Sequence, residues 1–343
     1  MSVPLVQIER LRKDFRAGTS FFNRDRQKLR AVDGVSLSIQ AGERFGIVGE
    51  SGSGKSTLAR CVLKLIAPSG GRIVFDGNPI FDSDRNISLS HNEMMKLRRD
   101  MQIIFQDPDA CLDPRMSAAA IVAEGILKHR VAPRREAFAS AADCLELCGI
   151  SREMADRRPS EFSGGQKQRI GIARALAVKP RFIIADEPLS ALDVSVQAQI
   201  LNLMNALRKQ FNLTFLFISH DLQTVEYFCD RIAVLYLGTL METGFSSDVM
   251  NQPLHPYTQA LCSSVPHCKP GERRVRIKLN GEIPSPINAP SGCKFHPRCP
   301  HGVPRCAAEP PVPENAGAGR EVACHRWREL ALNTADGNAG FGI

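Results

Sequence analysis

Residues 49–56 have the types and the order needed to hold phosphate groups. The segment reads Gly-Glu-Ser-Gly-Ser-Gly-Lys-Ser and lies between an apolar strand-like run and a helix-like run. Glycines let successive backbone N–H groups curl around phosphate oxygens, and the following helix N-terminus adds its positive dipole end. Lys55 is expected to reach the β- and γ-phosphates, and the Ser56 hydroxyl to bind Mg²⁺. The pattern predicts a nucleoside triphosphate site.

Two adjacent carboxylates, Asp186 and Glu187, follow the apolar run 182–185. At the end of a strand, Asp186 is suited to bind Mg²⁺ directly or through water, and Glu187 to polarise an attacking water molecule. Two acids in this position are by themselves an ordinary start of a loop. Together with the phosphate loop they predict hydrolysis of the bound nucleotide.

A second glycine-rich helix start is present at residues 162–166, which read Phe-Ser-Gly-Gly-Gln. The Ser163 hydroxyl and the glycine N–H groups form another anion site at a helix N-terminus. A single site needs only one phosphate cradle. The second one therefore predicts that each nucleotide is held between two chains.

The elements that must position these residues alternate between strands and helices. The strand-like runs are residues 44–48, 182–185 and 213–218, and the helix-like runs that follow them are residues 55–66, 196–208 and 221–228. This alternation predicts an α/β fold with a largely parallel sheet covered on both faces. Residues 116–178 are almost wholly helical in pattern and predict an inserted helical lobe.

Composition restricts the class of protein. The chain has 343 residues, 43% of them apolar, which suggests about two domains. No stretch approaches the roughly 20 apolar residues of a membrane span, and the start lacks the apolar centre of a secretion signal, so we expect neither a membrane-spanning nor an exported protein. The net charge of +8 is concentrated in residues 10–30 and 269–278, which are either solvated surface or face an anionic partner.

The amino-acid composition changes beyond residue 261, where prolines, glycines, cysteines and basic residues dominate. We predict a domain over residues 1–262 with a helical subdomain at about 95–180, a small Cys-rich domain over 263–328, and a flexible tail over 329–343. Seven of the eleven cysteines are scattered through apolar patterns, which is typical of reduced thiols in the cytosol.

The other four cysteines are Cys293, Cys299, Cys306 and Cys324. Four thiolates in a segment without a core of its own favour a soft metal centre. Their spacing matches neither the common zinc-finger pairs nor the bacterial ferredoxin run, so the metal stays open, as do unligated thiols. Three nearby histidines are spare ligands or solvated loop residues: His296, His301 and His325.

The order of these motifs resembles that of ABC-type ATPases over about residues 5–261. The residues that carry the resemblance are Ser-Gly-Gly-Gln at 163–166, Asp186-Glu187, Ser-Ala-Leu-Asp at 190–193, and His220. It implies a RecA-like, mostly parallel sheet core, an antiparallel β subdomain and an inserted helical subdomain, here with the Cys-rich domain appended.

The resemblance also implies a role for each matching residue. Phe15 would stack on adenine, with Phe21 and Phe22 as alternatives, and His220 would contact the γ-phosphate. The implied catalytic residues are Glu187, His220 and Gln106, the last sensing the membrane partner. The implied ATP and Mg²⁺ ligands are Phe15, Val32, Gly49, Ser51, Gly52, Ser53, Gly54, Lys55, Ser56, Thr57, Gln106 and Asp186. Residues Ser163, Gly164, Gly165 and Gln166 would bind the partner's ATP, beside Asp193 of the D-loop.

Further segments resemble one branch of this family, the ATP-binding subunits of dipeptide and oligopeptide importers, in particular the second (F-type) of the two paired ATPases. These segments are residues 106–108, 112–116, 253–258, 281–286 and 293–300. The branch implies ATP-driven closing and opening of a head-to-tail dimer with a paralogous ATPase. It also implies two transmembrane permeases, an external substrate-binding protein, and a peripheral location on the cytoplasmic face of the bacterial inner membrane. For the four cysteines it implies a 4Fe-4S cluster, with zinc as the alternative.

Two other functions stay open. Similar ATPases act on nucleic acid in repair or on ribosomes, but they usually carry coiled-coil insertions or two ATPase cores, and the sequence has neither, so no nucleic-acid partner is expected. The same transporter family also carries nickel, glutathione or other peptide-like cargo. Cargo contacts the permeases and the binding protein, so no residue of this chain identifies it.

Overall fold

The computed structural model describes residues 3–16, 28–265 and 276–335, with the side chains of 332–335 excepted. Phe21 and Phe22, the two alternative adenine-stacking residues, lie outside the described residues, as do residues 269–275 of the second basic run. Within the described ranges, thirteen strands form two sheets and are joined by twelve α-helices.

The smaller sheet has five antiparallel strands in the order β2-β1-β4-β5-β6. They are β1 (Val6–Arg16), β2 (Lys28–Ile39), β4 (Gly70–Phe75), β5 (Asn78–Asp82) and β6 (Ile87–Ser88). Along β1, Val6 and Ile8 are buried whereas the intervening Gln7 is partly exposed, the period-two pattern of a sheet with one covered face. This sheet is the antiparallel subdomain.

The larger sheet has eight strands in the order β12-β13-β11-β10-β3-β9-β8-β7. The last five strands in this order, from β10 through β3, β9 and β8 to β7, run parallel to each other. They are β3 (Arg44–Val48), β7 (Met101–Ile104), β8 (Phe182–Asp186), β9 (Thr214–Ile218), β10 (Arg231–Tyr236), β11 (Thr239–Phe245), β12 (Glu314–Gly317) and β13 (Arg320–Val322). Along β8, Phe182 and Ile184 belong to one apolar core and Ile183 and Ala185 to the other. Both faces are therefore covered, as the alternating pattern predicts.

The helices are α1 (Lys55–Val62), α2 (His91–Leu97), α3 (Pro108–Cys111), α4 (Ala118–Lys128), α5 (Arg134–Leu147), α6 (Gly164–Leu176), α7 (Val194–Phe211), α8 (Leu222–Phe228), α9 (Ser246–Asn251), α10 (Pro256–Ser263), α11 (Pro304–Ala308) and α12 (Trp327–Ala335). Helices α4, α5 and α6 pack together as a lobe, and buried alanines line the contact. The predicted helical subdomain, about 95–180, also contains β7, which lies in the larger sheet. No described helix has both the length and the apolar character needed to cross a membrane.

The residues after 276 share their structure with the preceding chain. Strand β13 pairs antiparallel with β11, so the β12–β13 hairpin extends the larger sheet. Arg320 donates to fully buried Glu242 on β11 at 2.5 Å, and Glu242 also accepts from the N–H of His255 at 2.9 Å. Buried Phe295 belongs to the main core. In its described part, the Cys-rich region predicted as a domain over 263–328 therefore extends the larger sheet and the main core. The domain boundaries themselves stay predictions.

Candidate nucleotide-binding and hydrolysis site

The phosphate loop connects the end of β3 to the start of α1. Its glycines are required by close backbone approaches. Gly49 has φ 152°, and a Cβ there would lie 2.2 Å from the carbonyl oxygen of Leu235. Gly54 has φ 100°, and its Cβ would lie 2.2 Å from the carbonyl oxygen of Ala31. Any side chain at either position would displace the loop from the neighbouring strands.

Lys55 lies over this loop with its ammonium group buried. Its Nζ donates to the carbonyl oxygens of Gly49 at 2.7 Å and Glu50 at 2.9 Å. Burial lowers the pKa of Lys55, and the nearby Glu187 and Asp186 oppose that change. A phosphate oxygen is a stronger acceptor than a carbonyl, so the ammonium is placed to bind one.

Ser56 and Asp186 form the second polar pair beside the loop. The Ser56 hydroxyl donates to Oδ1 of Asp186 at 2.8 Å. Burial raises the pKa of Asp186, which is 4% exposed, and the Ser56 hydrogen bond opposes the rise. A hydroxyl next to a buried carboxylate is a suitable oxygen pair for Mg²⁺ when nucleotide phosphates complete its coordination.

Glu187 is the point where three strand ends meet. Its Oε2 accepts from Nε2 of Gln106 at 3.1 Å and lies 3.2 Å from Nδ1 of His220. Gln106, Glu187 and His220 follow β7, β8 and β9, which are adjacent in the sheet. Glu187 has φ 47°, a left-handed conformation that costs energy for a residue with a side chain. Its N–H donates to the carbonyl oxygen of Ile218 at 3.0 Å, which holds it there.

A cavity of about 470 Å³ opens above the loop, and many of the predicted ligands line it. They are Phe15, Ser51, Gly52, Ser53, Gly54, Lys55, Ser56, Thr57, Gln106 and Glu187. Gly49 and Asp186 lie behind this wall, in contact with Lys55 and Ser56 respectively. Val32 is 0% exposed in the core of the antiparallel subdomain, so its neighbour Ala31 lines the cavity instead. Side chains alternate along a strand, and the nucleotide-binding role given to Val32 stays a prediction.

Six residues of the cavity wall are absent from the predicted site residues: Leu29, Arg30, Ala31, Leu237, Gly238 and Pro286. Gly238, in the turn between β10 and β11, lines the cavity, and its N–H donates to the carbonyl oxygen of Ser53 at 2.9 Å. Pro286, in the short 3₁₀ turn Pro286–Asn288, reaches the cavity from the C-terminal extension. The Pro-Ser-Pro segment that includes Pro286 carried part of the family resemblance, but nothing local in it indicated a ligand.

The second glycine-rich helix start faces outward. Ser163 caps α6: its hydroxyl accepts from the N–H of Gln166 at 3.3 Å, and its own N–H donates to Oε1 of Gln166 at 2.9 Å. Ser163, Gly164 and Asp193 are exposed. Residues 163–166 do not line the cavity above the phosphate loop of the same chain. Ser163 and Gly164 are therefore accessible to another molecule.

The four C-terminal cysteines come together around one small cavity of about 10 Å³. Cys293 and Cys306 are buried and the other two partly so, and His296, His301 and His325 also line the space. Burial raises the pKa of Cys299 to about 12 and that of Cys324 to about 11. Among the described residues, no group of three or more His, Cys, Asp or Glu side chains has the arrangement of a metal site. The donor chemistry suits a soft metal, but the side-chain positions do not form its coordination shell.

The comparisons with known proteins agree with this geometry. The sequence matches the ABC transporter family over residues 32–190 and the C-terminal region of oligopeptide/dipeptide transporters over residues 241–306. A probable peptide ABC transporter ATP-binding protein of Sinorhizobium fredii is 48% identical over 95% of this chain and 90% of that protein. The oligopeptide transport ATP-binding protein AppF of Bacillus subtilis is 46% identical over 94% of this chain and 97% of its own length.

Solved structures show the same fold. A dimeric ATP-binding cassette in a post-hydrolysis state, bound to ADP and Pi, has a TM-score of 0.60 and 31% identity, and covers 70% of this chain and 98% of that one. A Clostridium perfringens protein that is part of an ABC transporter complex has a TM-score of 0.62 and 30% identity, with 73% and 91% covered. The chain therefore belongs to the ABC transporter family, among the ATP-binding proteins that carry the oligopeptide/dipeptide transporter C-terminal region.

Proposed function

We propose that this chain hydrolyses ATP to drive import of dipeptides or oligopeptides through a membrane permease complex. One observation carries the hydrolytic part: Oε2 of Glu187 accepts from Gln106 and lies beside His220, at the edge of the cavity that holds Lys55. The peptide cargo is supported by the names of the relatives, which are peptide and oligopeptide transport ATP-binding proteins.

Each side chain has a definite part in this chemistry. The loop N–H groups and Lys55 bind the β- and γ-phosphates, and Ser56 with Asp186 holds Mg²⁺, which supplies charge stabilisation to the phosphates. Glu187 accepts a proton from the water that attacks the γ-phosphorus. Gln106 and His220 fix the Glu187 carboxylate, so the water is held in line with the bond that breaks.

A head-to-tail pair of ATPases completes each site. The outward-facing Ser163, Gly164, Gly165 and Gln166 bind the γ-phosphate of ATP on the partner, with Asp193 beside them. Binding of two nucleotides closes the pair, and loss of the bridging γ-phosphates opens it. The exposure of Ser163 and Asp193 supports this arrangement, as does the dimeric state of the solved relative. The partner in the transporter is a paralogous ATPase, which makes a heterodimer.

The surface between β7 and α4 is the proposed contact with the permeases. Residues 106–115 are largely exposed, and Asp109 on α3 pairs with Lys167 on α6 at 2.5 Å. Arg174 on α6 donates to the carbonyl oxygen of Cys111 at 2.7 Å. Helix α6 begins at the γ-phosphate-binding residues, so these contacts transmit movement of the closing pair to the permease. Two permeases, an external binding protein and a peripheral place on the cytoplasmic face of the inner membrane complete the proposed complex.

A reconstituted transporter tests this function. The chain, its paralogous ATPase and the cognate permeases are placed in proteoliposomes with the binding protein, and uptake of a labelled tripeptide is measured with MgATP. We expect uptake to require ATP and the peptide-loaded binding protein to stimulate phosphate release. Stimulation by nickel or glutathione would change the cargo assignment, and stimulation by DNA or ribosomes alone would contradict transport.

We also propose that Cys293, Cys299, Cys306 and Cys324 bind a soft metal centre, with a 4Fe-4S cluster as the first candidate and zinc as the second. The gathering of four thiols and three histidines around one cavity supports this, although forming the centre requires the side chains to rearrange. Analysis of iron, acid-labile sulfide and zinc in protein purified without oxygen tests it, with Cys144→Ser as the control for Cys306→Ser. Metal-free protein would contradict the proposal.

A further inference from the structure

The C-terminal extension contacts the phosphate loop directly through one ion pair. Arg298 donates from its two terminal nitrogens to Oε2 and Oε1 of Glu50, at 2.7 and 3.2 Å. Glu50 is the second residue of the phosphate loop, and Arg298 lies in the 3₁₀ turn His296–Arg298 between Cys293 and Cys299. Two parallel N–H···O bonds fix both the distance and the orientation of the carboxylate.

This pair is largely removed from water. The Arg298 side chain is 8% exposed and that of Glu50 is 25% exposed. The hydrogen bonds to Glu50 raise the pKa of Arg298, so the guanidinium is charged at every physiological pH. Within the described residues its Nε is buried and makes no hydrogen bond. Loss of Glu50 would therefore leave a buried charge poorly satisfied, which is costly.

A second set of contacts joins the same parts. The hydroxyl oxygen of Tyr257 accepts from the N–H of Glu50 at 2.9 Å, and the hydroxyl oxygen of Tyr236 accepts from Arg298 at 3.3 Å. Phe295, which is fully buried, packs on both tyrosine rings with centroid distances of 5.4 and 5.3 Å. Residues 293–306, called here the cysteine segment, thus contact the Glu50 side chain directly through Arg298, and contact its backbone only indirectly, through the Tyr257 ring on which Phe295 packs.

The position of Glu50 matters because its carbonyl oxygen accepts from Nζ of Lys55 at 2.9 Å. A shift of Glu50 would move this acceptor and tilt the peptide groups of the loop that face the phosphates. The chemistry at the γ-phosphate uses Gln106, Glu187 and His220, which Arg298 does not touch. Arg298 therefore acts on nucleotide binding and leaves the hydrolytic step to other residues.

We infer that Arg298 is a positioning residue for the phosphate loop and that it links the cysteine segment to nucleotide binding. MgATP binds more tightly when the cysteine segment is closed on Glu50, and bound MgATP holds the segment closed in return, because such coupling is reciprocal. The inference rests on the proposed function only in taking the cavity above the loop as the ATP site.

The first test measures MgATP affinity of the full-length chain carrying Glu187→Gln, so that the nucleotide is not consumed. On this background we expect Arg298→Gln and Glu50→Gln each to weaken binding by about tenfold, and the double variant to be no weaker than either. Arg305→Gln is the matched control, because Arg305 pairs with Glu309 at 3.0 Å on the exposed surface of the same segment. The inference would be overturned if Arg298→Gln did not weaken MgATP binding. It would also be overturned if the losses of affinity in the two single variants added up in the double variant.

Kinetics of the assembled pair, with Glu187 of this chain intact, separate positioning from general damage. We expect Arg298→Gln to raise KM for ATP about tenfold and to change kcat by less than about twofold, with Arg298→Lys intermediate because one of the two hydrogen bonds is kept. Equal losses in kcat and in kcat/KM would contradict a positioning role.

Hydrogen exchange tests the reciprocal half of the linkage, again on the Glu187→Gln background. We expect MgATP to slow exchange of the backbone amides of residues 293–306 about tenfold, and Arg298→Gln to abolish that slowing. The β12–β13 hairpin is the internal control, as it belongs to the same extension but is far from Glu50 in the pairing order of the sheet. Unchanged exchange with MgATP overturns the linkage alone, whereas failure of the unmodified loop to bind MgATP overturns the proposed function.

Discussion

The phosphate-loop cavity and the cysteine cavity are built in opposite ways. The first measures about 470 Å³, and its polar groups lie around open space at the ends of parallel strands. The second measures about 10 Å³, and its thiols, imidazoles and apolar walls close on one another. The first is a preformed ligand site, whereas the second needs rearrangement before it can hold a ligand larger than a water molecule.

Their frameworks explain the difference. Strands β7, β8 and β9 position Gln106, Glu187 and His220, since the three strands are hydrogen-bonded to each other and β8 and β9 are buried along their whole length. Cys306 lies on the short helix α11, whereas Cys293, Cys299 and Cys324 lie in turns and irregular chain, and buried Phe295, which packs on Tyr236, is the nearby anchor in the core. A site on parallel strands is fixed by the fold, and a site on turns by the few contacts that anchor them.

The largest expected effect concerns the rigid cavity. Glu187→Gln should lower the rate of phosphate release by roughly 10²–10⁴-fold while MgATP binding is retained, because the amide cannot accept the proton of the attacking water. Phosphate release and nucleotide binding are measured on the same preparation. Glu226→Gln, an exposed residue on α8, is the control. A normal rate of phosphate release in Glu187→Gln would contradict the assignment of Glu187 as the general base.

The next prediction concerns the buried ion pair between Arg320 and Glu242, which joins the β12–β13 hairpin to β11. Arg320→Met should lower the free energy of unfolding by about 3–5 kcal/mol, because it leaves the fully buried Glu242 carboxylate without its cation. Arg305→Met removes an exposed pair and should cost no more than about 1 kcal/mol. Urea unfolding measures both. Equal costs in the two variants would mean that the hairpin does not depend on the buried pair.

The outward-facing part of the ATP site predicts a dependence on a second chain. Ser163→Ala should lower the ATPase rate of the assembled pair by about 10²-fold, the loss typical of one donor at a developing charge. Its effect on MgATP binding by the isolated chain should be small. Ser195→Ala, at the exposed start of α7, is the control. An isolated chain whose rate is strictly proportional to its concentration, and is unaffected by Ser163→Ala, would contradict shared sites.

The smallest expected effect concerns the buried thiols. In the metal-free chain, burial raises the pKa of Cys299 to about 12 and of Cys324 to about 11, above the value of about 8.5 in an unfolded chain. Between pH 9 and 11 the unfolded state binds fewer protons, so these thiols make stability fall as pH rises. The free energy of unfolding at pH 8 and pH 10 measures this. The free energy of unfolding of a Cys299→Ser, Cys324→Ser double variant should decrease less between these two pH values. An equal decrease would contradict the burial of these two thiols.

Much of the rigid cavity could be predicted from the sequence because its signals are local. The phosphate loop is read from glycine and lysine spacing, and the strands at 44–48, 182–186 and 214–218 agree with the apolar runs. The length and apolar character of those runs indicate burial on both faces without knowledge of the strand order. Phe15 lines the cavity, and the roles of the individual ligands stay predictions.

What the tertiary structure decided is which distant residues meet. The convergence of Gln106 and His220 on Glu187 follows from the adjacency of β7, β8 and β9, which no local pattern encodes. The pair between Glu50 and Arg298 joins residues 248 positions apart, and the extension expected as a separate domain became part of the larger sheet. Periodicity reports the environment of one element at a time, whereas contacts between elements depend on how the whole chain packs its buried surface.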